Sequence, residues 1–390
     1  AYLDAAEKGK ARLDELALDQ KRSLAEHPDK ALAARARKLL AGGGGLPDAD
    51  RQKVIDAISA SVLKGGDPAK GKAVFKQHCA TCHRHSGEGN QIGPDLTGVA
   101  VHTREHLLID ILDPSRSVEA NFRQYVVRTD DGRVIAGLMA SESKTTVELL
   151  DTQNKRHVVQ RENIEQLAVS GKSVMPEGFE KQMPAESLAD LLAFLTQKGK
   201  YLPLDLRKAA TVVTTKGMFY SEASAVERLA FEDWGPKTVS GVPFQLVDPR
   251  GDTVPNAVML NGPQGAIPPK MPASVTLPCN TPAKAVHLLG GVAGWAFPAS
   301  KKGTVSLIVR LRYADGKTED HKLVNGEHIA DYIRRVDVPG SAFAADLKGR
   351  QVRLVTVLPK RTDPIAEIEL VKGKDDTAPV VMAVTVETPE

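Results

Sequence analysis

Long apolar runs, a disulfide framework and a strong charge of either sign are all missing from this chain of 390 residues. No apolar stretch approaches the ~18 residues that a membrane-crossing helix needs, so no span is expected. The three cysteines, Cys79, Cys82 and Cys279, are too few and odd in number for a disulfide scaffold. Aromatic residues make up 4%, which argues against a platform for stacking single-stranded bases. Lys and Arg number 52 against 49 Asp and Glu, a net charge of +3. No segment is strongly basic, so nucleic acid is not an expected partner. Residues 1–25 are charged throughout and lack the apolar stretch of a secretion leader. The chain therefore reads as one whose leader was removed, or as a piece of something longer. What is present is ordinary for a globular protein, 42% hydrophobic and 26% charged. The length suggests two to three domains at about 150 residues each.

Residues 1–63 read as helical. Leu13, Leu16, Leu18, Leu24, Leu32, Ala33, Leu39 and Leu40 stand at helical spacing. His27-Pro28-Asp29 breaks the run, because a residue before proline avoids the helical region. The segment is either a helical wrap on the next domain or the end of a helical repeat array. A glycine-rich linker at 41–47 precedes a further helix near Asp48–Leu63.

Residues 64–200 open with Asp67-Pro68, a cap and a first-turn proline, on a helix that carries Gly71 and Phe75 into His78-Cys79. Thr103 caps a second helix, which ends at Asp113-Pro114, and 184–198 form a third with Leu188, Leu191, Leu192 and Leu195. Between the last two the period changes to 2. Short strands at 122–129, 133–141, 146–150 and 155–160 make a β insertion over about 122–168, with a hairpin turn at Thr129-Asp130-Asp131-Gly132. Residues 201–390 alternate as many short strands, the pattern of a β-sandwich or jelly roll. The fold class expected is multidomain α+β.

Cys79-Ala80-Thr81-Cys82-His83 carries the chemistry. Cys-x-x-Cys-His is the attachment signature of c-type haem. Two thiols one helical turn apart can each add to one haem vinyl group, and the adjacent histidine then sits under the iron. Zinc would need two further ligands at defined spacing, and a redox dithiol would need a βαβ setting. One covalent haem c is the expected cofactor. No other catalytic constellation is present, with no Gly-x-Ser-x-Gly, His-Glu-x-x-His or phosphate loop. Cys279 reads as a small structural residue.

Gly93-Pro94-Asp95-Leu96 resembles the Gly-Pro-x-Leu loop of class I cytochromes c, in which the proline carbonyl orients the proximal histidine. Pro94 is the matching position for His83. The helix with Gly71 and Phe75 resembles that family's N-terminal helix, and Leu191–Leu195 the C-terminal helix that crosses it. The family's sixth ligand is a methionine before the last helix. Met175 in the stretch Gly171–Phe179 is the expected ligand, with Met183 as the alternative and His78, His85, His102 and His106 as further candidates. Met139 reads as sheet core. Arg116, Arg123 and Tyr125, at the entrance of the insertion, are candidates to bond haem propionates or a partner. The insertion is expected to pack on the haem domain and reduce haem exposure.

Gly71–His83, Glu88–Thr97, Asp110–Pro114, Tyr125–Gly137 and Ser173–Phe194, with Val174-Met175-Pro176-Glu177-Gly178-Phe179 above all, resemble the PVC-type haem-binding proteins of planctomycetes and verrucomicrobia. Leu289–Trp295, Tyr313–Gly316 and Val380–Val386 resemble the β domain that follows the haem module in some members. In that family such modules often end long proteins with a β-propeller dehydrogenase-like domain and helical repeats. The resemblance implies an extracytoplasmic, periplasmic electron-transfer module and not an enzyme. It would pass single electrons from a dehydrogenase, fused or separate and with sugar oxidation as one candidate chemistry, to a redox acceptor. A haem enzyme or sensor would instead need a displaceable sixth ligand and distal residues, for which His102 and His106 are the candidates. A third reading makes the C-terminal domain a carbohydrate- or partner-binding module, with Trp234 and Trp295 as stacking candidates.

Overall fold

The computed structural model describes residues 2–7, 16, 18–25, 27–41, 48–118, 122–219, 228–263, 265–300 and 302–389. Leu13 and the linker at 42–47 lie outside the described residues. The chain divides into two compact units, 1–96 with 103–197, and 97–102 with 198–390. Helical residues 1–63 thus group with the Cys-x-x-Cys-His segment. Residues 97–102, placed above with the haem segment, group with the second unit.

In the first unit α1 (Tyr2–Glu7), α2 (Leu18–Ala25) and α3 (Lys30–Ala41) share a small core of Leu3, Ala25, Ala36 and Leu40. The break between α2 and α3 falls at the expected proline, and Asp29 Oδ1 caps α3 by accepting from Ala31 N at 2.8 Å. Next come α4 (Ala49–Val62), α5 (Pro68–His78), α6 (Arg104–Leu112), α7 (Phe179–Gln182) and α8 (Ala185–Leu195). Asp48, Asp67 and Thr103 cap α4, α5 and α6 with side-chain oxygens, each cap contributing about 1 kcal/mol. α5 crosses α8 at Gly71, where a Cβ would collide with the Asp190 carbonyl. Only glycine allows that approach. Buried Asp190 also accepts from Asp67 N at 2.6 Å and ties the start of α5 to α8.

The two-residue strands β1 (Arg84–His85) and β2 (Glu88–Gly89) form a ribbon directly after the histidine. The insertion is a five-stranded antiparallel sheet of β3 (Arg123–Thr129), β4 (Val134–Glu142), β5 (Thr146–Leu150), β6 (Arg156–Gln160) and β7 (Ile164–Ser173), in the order β6-β5-β4-β3-β7. Val127, Val147, Leu149 and Val159 are its core, with Tyr125 and Met139 packed against them. The strand β7 extends the sheet to Ser173, beyond the expected end at 168 and into the stretch expected to be loop. Its register against β3 shifts twice, and each bulge breaks the alternation by which a strand is read from sequence.

The second unit contains β8 (Tyr201–Leu204), β9 (Pro236–Val239), β10 (Val242–Gln245), β11 (Val258–Met259), β12 (Ser274–Thr281), β13 (Ala285–Ala293), β14 (Val305–Tyr313), β15 (Thr318–Val324), β16 (Ala342–Asp346), β17 (Gln351–Val357), β18 (Ile365–Lys372) and β19 (Ala378–Glu387). One sheet runs β11-β19-β13-β17-β16 with β8 on β19, and another β12-β18-β14-β15; β9 and β10 pair separately. Leu277, Val309, Ile368 and Leu370 of the second sheet share a core with Val286, Leu288, Val355 and Val384 of the first. Buried Cys279 belongs to this core, and burial pushes its thiol up to about 12, the inert behaviour of a small apolar residue. β8, β9 and β16 escape a sequence reading because they are short and carry Pro203, Pro236 or an alanine run with little β preference.

Candidate haem centre

α5 delivers Cys79 as its C-cap residue, with Cys79 N donating to Phe75 O at 2.8 Å. The next turn closes through Cys82 N and His83 N, both donating to Cys79 O, at 3.0 and 2.8 Å. A return loop satisfies the rest of the motif: Asn90 N bonds Ala80 O, and Ile92 N and Gly93 N bond Cys82 O. Backbone bonding therefore holds the two thiols on one turn, and the Asn90 side chain adds a bond from Nδ2 to Thr81 O at 3.2 Å.

His83 is 9% exposed. Its Nδ1 lies 2.8 Å from Pro94 O. A carbonyl only accepts, so Nδ1 carries the proton and Nε2, on the opposite edge of the ring, presents a lone pair. Gly93 lies against the ring face, and a Cβ there would come within 2.6 Å of Cε1. Around this turn Phe75, His85 and Phe194 form an aromatic cluster, with His85 and Phe194 centroids 4.6 Å apart. Burial lowers the His85 pKa below its ordinary value.

Burial pushes the Cys79 thiol up to about 12 and raises that of Cys82 as well. Among the described residues no group of three or more His, Cys, Asp or Glu gathers as a metal site. Two thiols one turn apart, with the His83 imidazole beside them, are the residue types that would hold a covalent haem.

Met175 is half-buried in the loop between β7 and α7, its N donating to Ser173 Oγ at 3.1 Å. Met183, the C-cap of α7, is 6% exposed. The loop is anchored on both sides: Ser173 N donates to Ser115 Oγ, Ser115 Oγ to Glu177, and Lys172 Nζ lies 2.8 Å from Glu177 Oε1. Lys172 holds the Glu177 carboxyl below the usual range. Arg51 does the same for Glu180.

The histidines offered as alternatives lie on different elements. His102 groups with the second unit. His106 is exposed on α6, with Nε2 3.3 Å from Asp110. His78 is the half-buried last residue of α5. Arg116, offered as a propionate contact, is 7% exposed, and its guanidinium bonds Asp113 Oδ2 at 2.8 Å and Gln52 Oε1 at 2.7 Å. Tyr125 packs into the core of the inserted sheet. Arg123 is half-buried at the start of β3, in register with Ser173. A contact that sequence reasoning missed joins the insertion to the motif: Cys82 Sγ lies 3.9 Å from the carbonyl of Thr152, in the β5–β6 turn. The separation of 70 positions leaves no trace in local pattern.

Residues 68–124 match the model of the family described as cytochrome c. A cytochrome c from Arabidopsis thaliana is 49% identical over 41 residues, 10% of this chain and 37% of that protein. One from Stellaria longipes is 54% identical over 38 residues, 10% of this chain and 35% of that protein. The chain thus spans about a third of the length of the curated relatives it matches. A solved xylan-binding domain from Paenibacillus barcinonensis is similar at 11% identity over 40% of this chain and 88% of that one, with a TM-score of 0.20. So low a score carries no argument. The chain is a multidomain α+β protein with a cytochrome c segment, and that segment implies one covalent haem c at Cys79 and Cys82.

Proposed function

We propose that this protein is a monohaem c-type cytochrome of the PVC type, working outside the cytoplasm as an electron-transfer module between a dehydrogenase and a redox acceptor. The observation that carries the reading is the bond between His83 Nδ1 and Pro94 O at 2.8 Å, inside a Cys-x-x-Cys-His turn. Haem c supplies a one-electron couple when bound. Cys79 and Cys82 hold it by thioethers, His83 offers Nε2 as the proximal ligand, and Met175 closes the sixth position. The Pro94 carbonyl strengthens the imidazole as a donor by accepting the hydrogen bond of its Nδ1–H. A His/Met pair raises the potential and leaves no position for chemistry on a bound molecule. Thr152 O in the β5–β6 turn lies 3.9 Å from Cys82 Sγ, which supports the insertion as a shield for the haem edge.

Denatured protein should keep its haem on a gel and through acid–acetone extraction. The native ferric protein should show the weak long-wavelength absorption of methionine ligation, lost in Met175→Ala and kept in Met183→Ala. Haem lost on extraction sinks the thioether bonds, and rapid carbon monoxide binding by the native ferrous protein sinks the electron-transfer reading.

A second reading for the C-terminal unit has one specific observation in its favour. Its two tryptophans differ: Trp234 packs against the core and meets Phe231 edge-on at 5.8 Å, whereas Trp295 is 53% exposed at φ 61°. The backbone beside Trp295 is clamped, with Ala296 N on Asp331 Oδ2 and Phe297 N on Asn325 Oδ1, both at 2.9 Å. A fixed, exposed indole suits stacking on a sugar ring. Retardation of the full chain, but not of Trp295→Ala, in gels containing soluble polysaccharides would support it; equal mobility of the two in every such gel would remove it.

A further inference from the structure

α4 precedes the segment matched by the cytochrome c model, yet it grips the structure around Met175. Arg51 donates through Nη1 and Nη2 to the two carboxylate oxygens of Glu180, at 3.0 and 2.8 Å, and through Nε to Leu112 O at 2.6 Å. Its neighbour Gln52 accepts from Arg116 Nη2 at 2.7 Å, and Arg116 in turn bonds Asp113. Two successive residues of α4 thus tie the end of α6, and Arg51 joins that end to the start of α7. The chain between Ser173 and Glu180 carries Met175, and its other end is held by Ser115.

The fork differs from the surface pairs around it. The Arg51 and Glu180 side chains are each 12% exposed, against 78% and 89% for Lys53 and Asp50 on either side of Arg51. A shielded, two-pronged Arg–carboxylate bond keeps its strength in salt and fixes direction as well as distance. Exposed pairs contribute little. A thioether is a weak ligand, so the rate at which it leaves an iron depends on how often its loop opens. Local opening is governed by the bonds that anchor the loop.

We propose that Arg51 and Glu180 are positioning residues for the sixth ligand: the fork holds the Met175 loop closed, and α4 is a working part of the haem unit. The proposal rests on the reading of Met175 as that ligand. It goes beyond it by assigning the closure of the iron site to a helix outside the cytochrome c segment.

The test uses the full haem-loaded chain and carbon monoxide as the probe of the open sixth position. Arg51→Gln and Glu180→Gln should each speed carbon monoxide binding to the ferrous protein by about tenfold, equivalent to about 1.4 kcal/mol of loop opening. Both should lower the midpoint potential. The double variant should be no faster than either single one, because the two residues form one interaction. Arg51→Lys, which keeps the charge without the fork, should fall between. Val147→Ala makes a cavity in the core of the inserted sheet; it should lower thermal stability and leave carbon monoxide binding unchanged. Wild-type binding rates in Arg51→Gln would overturn the proposal, as would an equal acceleration in Val147→Ala. Met175→Ala separates the two readings. If it abolishes methionine ligation while Arg51→Gln changes nothing, only the positioning role fails. If Met175→Ala keeps that ligation, the ligand is another residue and both fail.

Discussion

Each unit buries an imidazole, and the two rings are held in opposite tautomers. His83 Nδ1 faces a carbonyl, Pro94 O at 2.8 Å, which forces the proton onto Nδ1 and leaves Nε2 as a base. His287, on β13 in the second unit, faces Glu387 Oε2 with Nε2 at 3.3 Å and Thr356 Oγ1 with Nδ1 at 3.0 Å. A carboxylate accepts only, so Nε2 carries the proton there, and the hydroxyl donates to Nδ1. Burial is similar, 9% and 6% exposed. The acceptor, not the depth, decides whether a buried histidine is prepared as a metal ligand or spent on tying strands together. Across the β13 register His287 stands beside Thr356 of β17 and Thr385 of β19, so its bonds stitch the sheet.

Removing each ring should give the largest contrast. His83→Ala should yield protein with little or no correctly ligated haem and no methionine-ligated spectrum, while His287→Ala should leave the haem spectrum and potential as in the native protein. A haem spectrum altered equally by the two changes would erase the distinction. The second unit supplies its own readout, since both tryptophans of the chain, Trp234 and Trp295, lie in it.

A smaller effect should follow from moving the ring rather than removing it. Alanine at Gly93 would put a Cβ within 2.6 Å of His83 Cε1 and 2.9 Å of Nδ1, so the imidazole must shift off Pro94 O or the loop must yield. Overpacking of this kind costs about 1–3 kcal/mol. Gly93→Ala should keep covalent haem, lower the first unit's melting temperature and change the potential. A native potential would mean that the histidine is not positioned by this contact.

What can be read from the chain without its structure follows the same division. The haem turn lies within residues 79–96, where bonding is local, and the caps Asp48, Asp67 and Thr103 and the turn at Gly132 are likewise local signals. Contacts across long stretches of chain leave no such signal. Arg51 meets Glu180 across 129 positions and Cys82 meets Thr152 across 70, and neither partner shows in spacing or composition. Arg116 shows the same limit, since its bond to Gln52 spans 64 positions and leaves no trace in the sequence. In the second unit β13 and β19 are buried along their whole lengths, with one core on each face of the sheet. They are legible as apolar runs. The short strands β8 and β16 pair within that sheet, β9 pairs only with β10, and none of the three is legible in this way.

The mildest prediction sharpens the comparison through pH. Burial lowers the His287 pKa below its ordinary 6.5, with Glu387 opposing the shift, and Lys284 first, then His287, lower that of Glu387 below 4.5. A histidine depressed in the folded state takes up its proton first in the unfolded chain. Its contribution to stability is complete above about pH 6.5 and is lost as the pH falls through that value towards the folded pKa. The Glu387 contribution is kept through this window and is lost only at more acid pH, below the ordinary carboxylate value. The urea midpoint of the second unit, followed by tryptophan fluorescence, should therefore fall between about pH 7 and pH 5. In His287→Gln, whose amide can serve both Thr356 and Glu387 without titrating, that part of the pH dependence should flatten while the more acid step remains. An unchanged slope between pH 7 and 5 in the glutamine variant would show that another group titrates there, and the buried ring of the second unit would then be no pH-sensitive counterpart to His83.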